Sequence, residues 1–197
     1  MRFLGPTVTI HGGGSDLIFP HHEAEITQSE NFTGKKFVKT WMHVTMVYCD
    51  GKKMSKSLGN MVFVSDLLKK YSANTIRIFL LSRHYRIPWN YEEKGLETAQ
   101  KIAAKLSEAL GKGLTLTTVS QKQRSGLSKS QSPTRQDDNQ DLNRAKRFLP
   151  DFFKALDDDF NTPRAIMVLR KAAKENISEE KFKAIYTASK ILGLNLL

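Results

Sequence analysis

Cysteine is nearly absent: a single residue, Cys49, stands in 197. One thiol excludes an intrachain disulfide and suits a reducing compartment. Acidic residues are in deficit, 20 Asp+Glu against 31 Lys+Arg, so the formal net charge is +11. That balance favours a polyanionic partner, with solubility as the other use of such a charge. No run of 18 apolar residues occurs, which excludes a membrane-spanning helix, and Met1-Arg2-Phe3-Leu4-Gly5 lacks the form of a secretory signal. The expectation is a soluble, cytoplasmic protein with no membrane partner. From Lys112 to Gln136 acidic and aromatic residues are missing altogether, leaving mostly Ser, Thr, Gln, Lys and Arg with scattered aliphatics. Such a stretch cannot bury enough apolar surface to order itself. It reads as a basic, mobile linker over 111–141, and both a plain insertion and a nucleic-acid tail fit its composition. Against these shortages, 40% hydrophobic residues suffice for a core in one domain or two small ones.

The chemistry is densest in Asp50-Gly51-Lys52-Lys53-Met54-Ser55-Lys56-Ser57-Leu58-Gly59-Asn60, which follows the β-prone run Val44 to Tyr48. Two glycines able to take φ > 0 bracket three lysines and two serines, the make-up of a hinged loop. Ammonium groups on such a loop can follow a triphosphate whose charge shifts as a bond breaks. A solvated basic turn or a short localisation signal has the same composition. Upstream, the β-branched run Thr7-Val8-Thr9-Ile10 gives way to His11-Gly12-Gly13-Gly14-Ser15-Asp16. Strand, glycine-rich loop, then helix is how an α/β sheet offers backbone N–H groups at the carboxyl ends of its strands. In Phe19-Pro20-His21-His22-Glu23-Ala24-Glu25 the proline suits a first helical turn. His21 and Glu25 then share a face at i, i+4, a spacing at which imidazole and carboxylate reach one metal ion. A solvated helix face explains that pair on its own equally simply.

Taken together these motifs resemble a known family. Lys53-Met54-Ser55-Lys56-Ser57 is similar to the KMSKS signature of class I aminoacyl-tRNA synthetases, and His11 to Glu25 resembles the HGGGxDLxFPHHExE block of cysteinyl-tRNA synthetases nearly residue for residue. The resemblance implies ATP-dependent activation of L-cysteine and its transfer to tRNA-Cys. It implies zinc as the group that holds the substrate thiolate, with His21 and Glu25 as ligands and His22 and Glu23 as neighbours within the same motif. His11 and Asp16 would line the amino-acid pocket, and Lys56, supported by Lys53, would meet the ATP phosphates. Zinc deprotonates a thiol, and a hydroxyl cannot imitate that bond. Trp41-Met42-His43 has a counterpart in the family, and a buried tryptophan with a satisfied histidine accounts for it as well as a contact with adenosine does. Cys49 matches no family ligand. The family's two cysteine ligands and its HIGH motif would fall ahead of Met1, so the chain is expected to begin inside the catalytic domain, to be inactive alone, and to need a separate N-terminal fragment.

Helices are predicted for the rest. Ser65-Asp66 reads as the cap of a short helix over Leu67–Tyr71, and Thr75–Leu81 as a second helix with Ile76, Phe79 and Leu80 in its stripe. Arg77, Arg83 and Arg86 are candidates for RNA phosphates or ordinary surface arginines. Glu92–Leu110 places Leu96, Ala99, Ile102, Ala103, Leu106 and Leu110 on one face, with Gly111 and Gly113 as terminators. Asn143–Leu156 repeats the pattern with Phe148, Leu149, Phe152, Phe153 and Leu156. Asp157-Asp158-Asp159 lacks calcium-loop spacing, and Asn161 or Thr162 before Pro163 reads as a helix cap. Ser178 opens a last helix with Phe182, Ile185 and Ile191 inward. The fold class is α/β followed by all-α: the second half of a Rossmann-like class I catalytic domain over 1–110, the linker, and a helical tRNA-stem-binding bundle over 142–197. Two other functions share these features, a ligase that joins cysteine to an amino sugar in mycothiol synthesis and a non-catalytic tRNA-binding remnant.

Overall fold

A computed structural model describes residues 3–124 and 148–197, with side chains described to 115 and again from 148. They form two compact units, Met1–Val62 with Tyr85–Glu92, and Phe63–His84 with Glu93–Leu197.

In the first unit β1 (Val8–Gly14) and β2 (Val38–Val44) pair in parallel, with His11 opposite Trp41 and Gly13 opposite His43. The expected glycine loop is therefore strand. Its glycines answer crowding: a Cβ on Gly13 would lie 2.6 Å from the His22 ring, and one on Gly14 would strike the Asp16 carboxylate. Removing those side chains lets both groups press against the strand. After β1 a 3-10 turn (Ser15–Leu17) and a wide turn (Ile18–His22) lead into α1 (Glu23–Thr33). Pro20 thus sits in the turn before α1, next to an extended Phe19 (φ −135°, ψ 134°). Gly34, with φ 63°, ends α1.

β3 (Val47–Cys49) and β4 (Lys52–Lys53) form an antiparallel hairpin, and β5 (Trp89–Asn90) lies parallel to β3. Asp50 and Gly51, at φ 51° and 73°, are the two central residues of its turn. Positive φ at both positions is the type I′ geometry that matches strand twist. The basic stretch therefore opens as a tight hairpin, then a 3-10 turn (Lys56–Leu58) capped by Gly59 at φ 66°.

The second unit is helical. A turn of helix, α2 (Val64–Leu67), starts before Ser65 and Asp66 and has no side-chain cap, so the predicted cap and the Leu67–Tyr71 span are displaced by about one turn. α3 (Ala73–Leu81) is capped by Ser72, whose hydroxyl accepts from the Thr75 N–H at 3.2 Å. Ile76, Ile78 and Phe79 are its buried face, whereas Leu80 points outward. α4 (Glu93–Arg124) buries all six residues of the predicted stripe. It does not stop at Gly111 or Gly113. Glycine within a helix costs about 1 kcal/mol relative to alanine, but a Cβ at Gly113 would lie 2.5 Å from the Phe182 ring. The glycine is a packing site, and tertiary contact carries the helix past it. Residues 111–124 of the expected linker are thus helical, and 125–141, with 142–147 of the expected bundle, lie outside the described residues.

A helix over 148–157 (α5), α6 (Thr162–Lys174) and α7 (Glu179–Ile191) complete the unit. Asn161 and Ser178 cap α6 and α7, accepting from the N–H groups of Arg164 at 3.2 Å and Lys181 at 3.3 Å. Phe148, Phe152, Phe182 and Ile185 are buried as predicted, but Phe153 and Ile191 are 43% and 46% exposed. Leu192, Leu194 and Leu196 take the inward places after α7. Asn74 fastens that tail, exchanging side-chain hydrogen bonds with the backbone of Asn195. Residues 63–84 and 93–110, expected with the catalytic half, pack with these C-terminal helices. Among the described residues no helix is long and apolar enough to cross a membrane.

Candidate active site

The candidate site lies within the first unit. Trp41, on β2, is the hub of an aromatic cluster. The His11 ring stacks on it at 4.7 Å between centroids, His43 at 5.7 Å with rings 7° apart, and His22 lies 4.8 Å away. His22 and His43 share a hydrogen bond of 2.9 Å between Nδ1 and Nε2. His22 is buried, and burial pushes its imidazole below the usual histidine pKa, which holds it neutral. Trp41 and His43 pack together within this cluster and are both half-buried.

Glu25 reaches two of the predicted site residues. Its Oε1 is 3.6 Å from His21 Nε2 across the first turn of α1, and its Oε2 is 3.5 Å from His11 Nε2. Donor atoms of His11, His22 and Glu25 all lie within 4.8 Å of one another, close enough to hold one ion. Glu25 Oε2 is buried and accepts no hydrogen bond among the described residues. An orphaned carboxylate oxygen beside imidazoles is the donor chemistry of a zinc site. Sequence reading paired Glu25 with His21 and put His11 in the amino-acid pocket. The structure adds His11 and His22 to the same cluster, because β1 carries His11 over the start of α1.

The basic hairpin and the glycine strand meet through Asp16 and Lys53. Lys53 Nζ donates to Asp16 Oδ2 at 2.7 Å, and this contact holds the Asp16 carboxyl below its ordinary pKa of 3.8. Lys56, one turn on, is exposed and has no carboxylate within ion-pair distance among the described residues. Asn60 closes the loop: its side chain accepts from the Ser55 N–H at 2.9 Å and donates to the Lys53 carbonyl at 3.1 Å. Asn60 was given no role by sequence reading, although an Asn after a glycine turn is a common loop clamp. Cys49 has only a weak 3.9 Å contact to Asp50 and takes no part in the cluster. In the second unit, Arg77 lies against Gly193. Arg86, in the first, sits 5.0 Å from the Tyr85 ring centroid.

The Asp16–Lys53 pair yields a prediction. A carboxyl whose folded pKa is depressed contributes above its unfolded pKa and loses that contribution as pH falls through the folded value. Both side chains are nearly half exposed, so the effect is small. Asp16→Asn, or acidification below the ordinary carboxylate range, is expected to raise amide exchange over 52–58 while leaving β1 protected. Unchanged exchange there would show that the pair does not hold the hairpin.

Parallel strands with a basic turn beyond them, followed by a helical bundle, are the architecture of class I synthetases, and the comparisons agree. Residues 1–101 match the profile of the tRNA synthetases class I (C) catalytic domain, and 151–196 match that of the DALR domain. Solved structures of like fold include an Agrobacterium radiobacter K84 LeuRS in a ternary complex with tRNA and LeuAMS, at TM-score 0.70 and 16% identity over 95% of this chain and 26% of that one. A Mycobacterium tuberculosis methionyl-tRNA synthetase with methionyl-adenylate gives 0.60 and 17% over 94% and 40%. The chain belongs to the class I (C) tRNA synthetase family. More particularly, its curated relatives include cysteine–tRNA ligases: that of Pseudothermotoga lettingae is 43% identical over 169 residues, 85% of this chain and 33% of the relative. That of Dehalococcoides mccartyi is 38% identical over 209 residues, 100% of this chain and 41% of the relative. The chain thus spans about a third to two-fifths of the length of these relatives.

Proposed function

We propose that this chain is the zinc- and KMSKS-bearing part of a cysteine–tRNA ligase. The observation that carries the reading is the ion pair between Asp16 and Lys53, which ties the KMSKS hairpin to the glycine strand that also bears His11. In the reaction the carboxylate oxygen of cysteine attacks the α-phosphorus of ATP, the bond to pyrophosphate breaks, and the cysteinyl group passes from the adenylate to the 3′ end of tRNA. Lys56, with no carboxylate to neutralise it, offers its ammonium to the charge that grows on the leaving pyrophosphate. Lys53 supports the loop from its contact with Asp16.

His21 and Glu25 are the proposed zinc ligands, and zinc supplies a thiolate-binding Lewis acid there. His21 is kept as the ligand that the resemblance implies, and His22 Nδ1 is bonded to His43. His11 stacks on Trp41 and faces Glu25, so it orients that carboxylate. Two ligands from this chain leave an ion mostly to water, and no HIGH tetrapeptide occurs in the sequence. A two-stranded parallel sheet is also short of the cover such sheets need: Ile10 and Phe19 are 63% and 76% exposed. Activity therefore requires a complementary catalytic half.

The test is zinc content and cysteine-dependent pyrophosphate exchange, first with the chain alone and then with an added N-terminal half that carries HIGH and two cysteines. Little zinc and no exchange alone, both restored in the mixture, are the expected results. tRNA then serves as acceptor and glucosaminyl-inositol does not. Stoichiometric zinc and full exchange from the chain alone would overturn the claim of incompleteness. Loss of zinc on His22→Ala but not on His21→Ala would overturn the ligand assignment.

A further inference from the structure

Beyond Met54, whose N–H donates to the Val47 carbonyl at 2.9 Å, the basic hairpin leaves its ladder, and Lys56 stands on a loop of its own. The hydrogen bonds that hold this loop turn inward. Gly59, at φ 66°, donates its N–H to the Lys56 carbonyl at 3.1 Å. The hydroxyls of Ser55 and Ser57, on either side of Lys56, meet at 3.2 Å. Among the described residues the hydrogen bonds of 55–59 all end within 55–60. One side chain joins the loop to the hairpin. The half-buried Asn60 accepts from the Ser55 N–H at 2.9 Å through Oδ1 and donates to the Lys53 carbonyl at 3.1 Å through Nδ2. Lys53 in turn donates to Asp16 Oδ2 at 2.7 Å. A line of contacts therefore runs from the turn after β1 to the residue before Lys56.

We infer that Asn60 is a positioning residue for the activation step, holding the loop so that the Lys56 ammonium stands where charge grows on the leaving pyrophosphate. This role rests on the ligase reading given above. A lysine on an exposed loop favours the transition state only when its backbone is already in place, because ordering it during the reaction costs entropy. Gly51 and Gly59 make the stretch pliable, and the carboxamide of Asn60 is what ties its two ends together. Asparagine suits the place because one carboxamide carries an acceptor and a donor. Ionised Asp supplies acceptors only, and Ala supplies neither. Both ends of the carboxamide meet loop backbone, so Asn60 acts through Lys56 rather than on ATP.

The experiment is cysteine-dependent pyrophosphate exchange in the chain mixed with an N-terminal half that carries HIGH and two cysteines. It compares the unaltered chain, Asn60→Ala, Lys56→Ala and the two changes together. Asn60→Ala is expected to lower kcat by about 10- to 100-fold, the scale on which misplacing a catalytic group slows a reaction, with little change in the KM for cysteine. The double variant is expected to be no slower than Lys56→Ala, since displacing the loop has no further effect once its ammonium is gone. Asn60→Asp keeps the acceptor for Ser55 and loses the donor to Lys53, so its rate should fall between those of the unaltered chain and Asn60→Ala. Losses that multiply in the double variant would make Asn60 an independent contact or a general stabiliser and would overturn the proposal. Full exchange in Asn60→Ala would do the same. If Asn60→Ala fails to fold by circular dichroism, the same cycle run with Asn60→Asp decides between these outcomes. In the chain alone, amide exchange at Ser55 is expected to rise in Asn60→Ala while Val47–Cys49 stays protected, and unchanged exchange at Ser55 would remove the clamp on which the role stands. The two readings fail differently. A mixture with the unaltered chain that shows no exchange takes down the ligase reading and this role with it, whereas exchange that survives Asn60→Ala removes the positioning role alone.

Discussion

Lys56→Ala, made in the chain mixed with an N-terminal half that carries HIGH and two cysteines, is expected to slow cysteine-dependent pyrophosphate exchange by about 10²–10³-fold, the usual cost of deleting one donor to developing charge. The KM for cysteine should move little, because Lys56 is remote in role from the thiol and amino groups. The split follows from where the ammonium acts. In the ground state ATP carries its charge on phosphates already solvated or bound elsewhere. As the α-phosphorus bond to pyrophosphate breaks, charge accumulates on the leaving oxygen, and an interaction that strengthens only then raises kcat without tightening substrate. Lys56 is equipped for this by lacking a carboxylate partner, whereas Lys53 is bound to Asp16 at 2.7 Å. Lys53→Ala should therefore lower exchange less, and should do so partly by loosening the hairpin. Exchange that is unchanged in Lys56→Ala, or lower in Lys53→Ala than in Lys56→Ala, would take the leaving-group role from Lys56.

How far such roles were legible in the sequence depends on whether they are local. The i, i+4 spacing of His21 and Glu25 is a property of one helix, and the structure brings the two within 3.6 Å. That His11 joins Glu25 depends on a parallel strand crossing the start of α1, which periodicity does not encode. The three glycines were read as a loop because glycine is the usual loop residue. Gly13 and Gly14 leave room for the His22 ring and the Asp16 carboxylate, contacts set by the turns that follow β1. Gly113 misled in the same way: its helix-breaking preference is real, yet the helix runs on where the glycine leaves room for the Phe182 ring. Asp50-Gly51 is the opposite case, a strong local hairpin signal set aside in favour of a hinge. Caps were legible at Asn161 and Ser178, which act within their own first turns, but not at Ser65-Asp66, where the helix already starts at Val64.

The apolar stripe of α5 shows the same limit in energetic form and gives the largest expected change in stability. Periodicity places Phe152 and Phe153 in the core with equal force, but adjacent residues on a helix are about 100° apart and cannot both face inward. Phe152 is fully buried, its ring 6.1 Å from Phe148 and 5.7 Å from Phe153, while Phe153 is 43% exposed. Phe152→Ala removes a whole buried ring and leaves a void that neighbouring helices fill only in part, at a cost of about 3–5 kcal/mol. Set against the roughly 5–15 kcal/mol that holds an ordinary domain together, the helical unit should unfold at much lower urea. Phe153→Ala gives up little beyond one partly wet edge contact and should cost about 1 kcal/mol, the middle of the range for single substitutions. The measurement is urea unfolding followed by far-UV circular dichroism, comparing midpoints at constant slope. A Phe153→Ala midpoint as low as that of Phe152→Ala would mean that the exposed face of α5 is covered in solution, and that the core of this unit is larger than the one described.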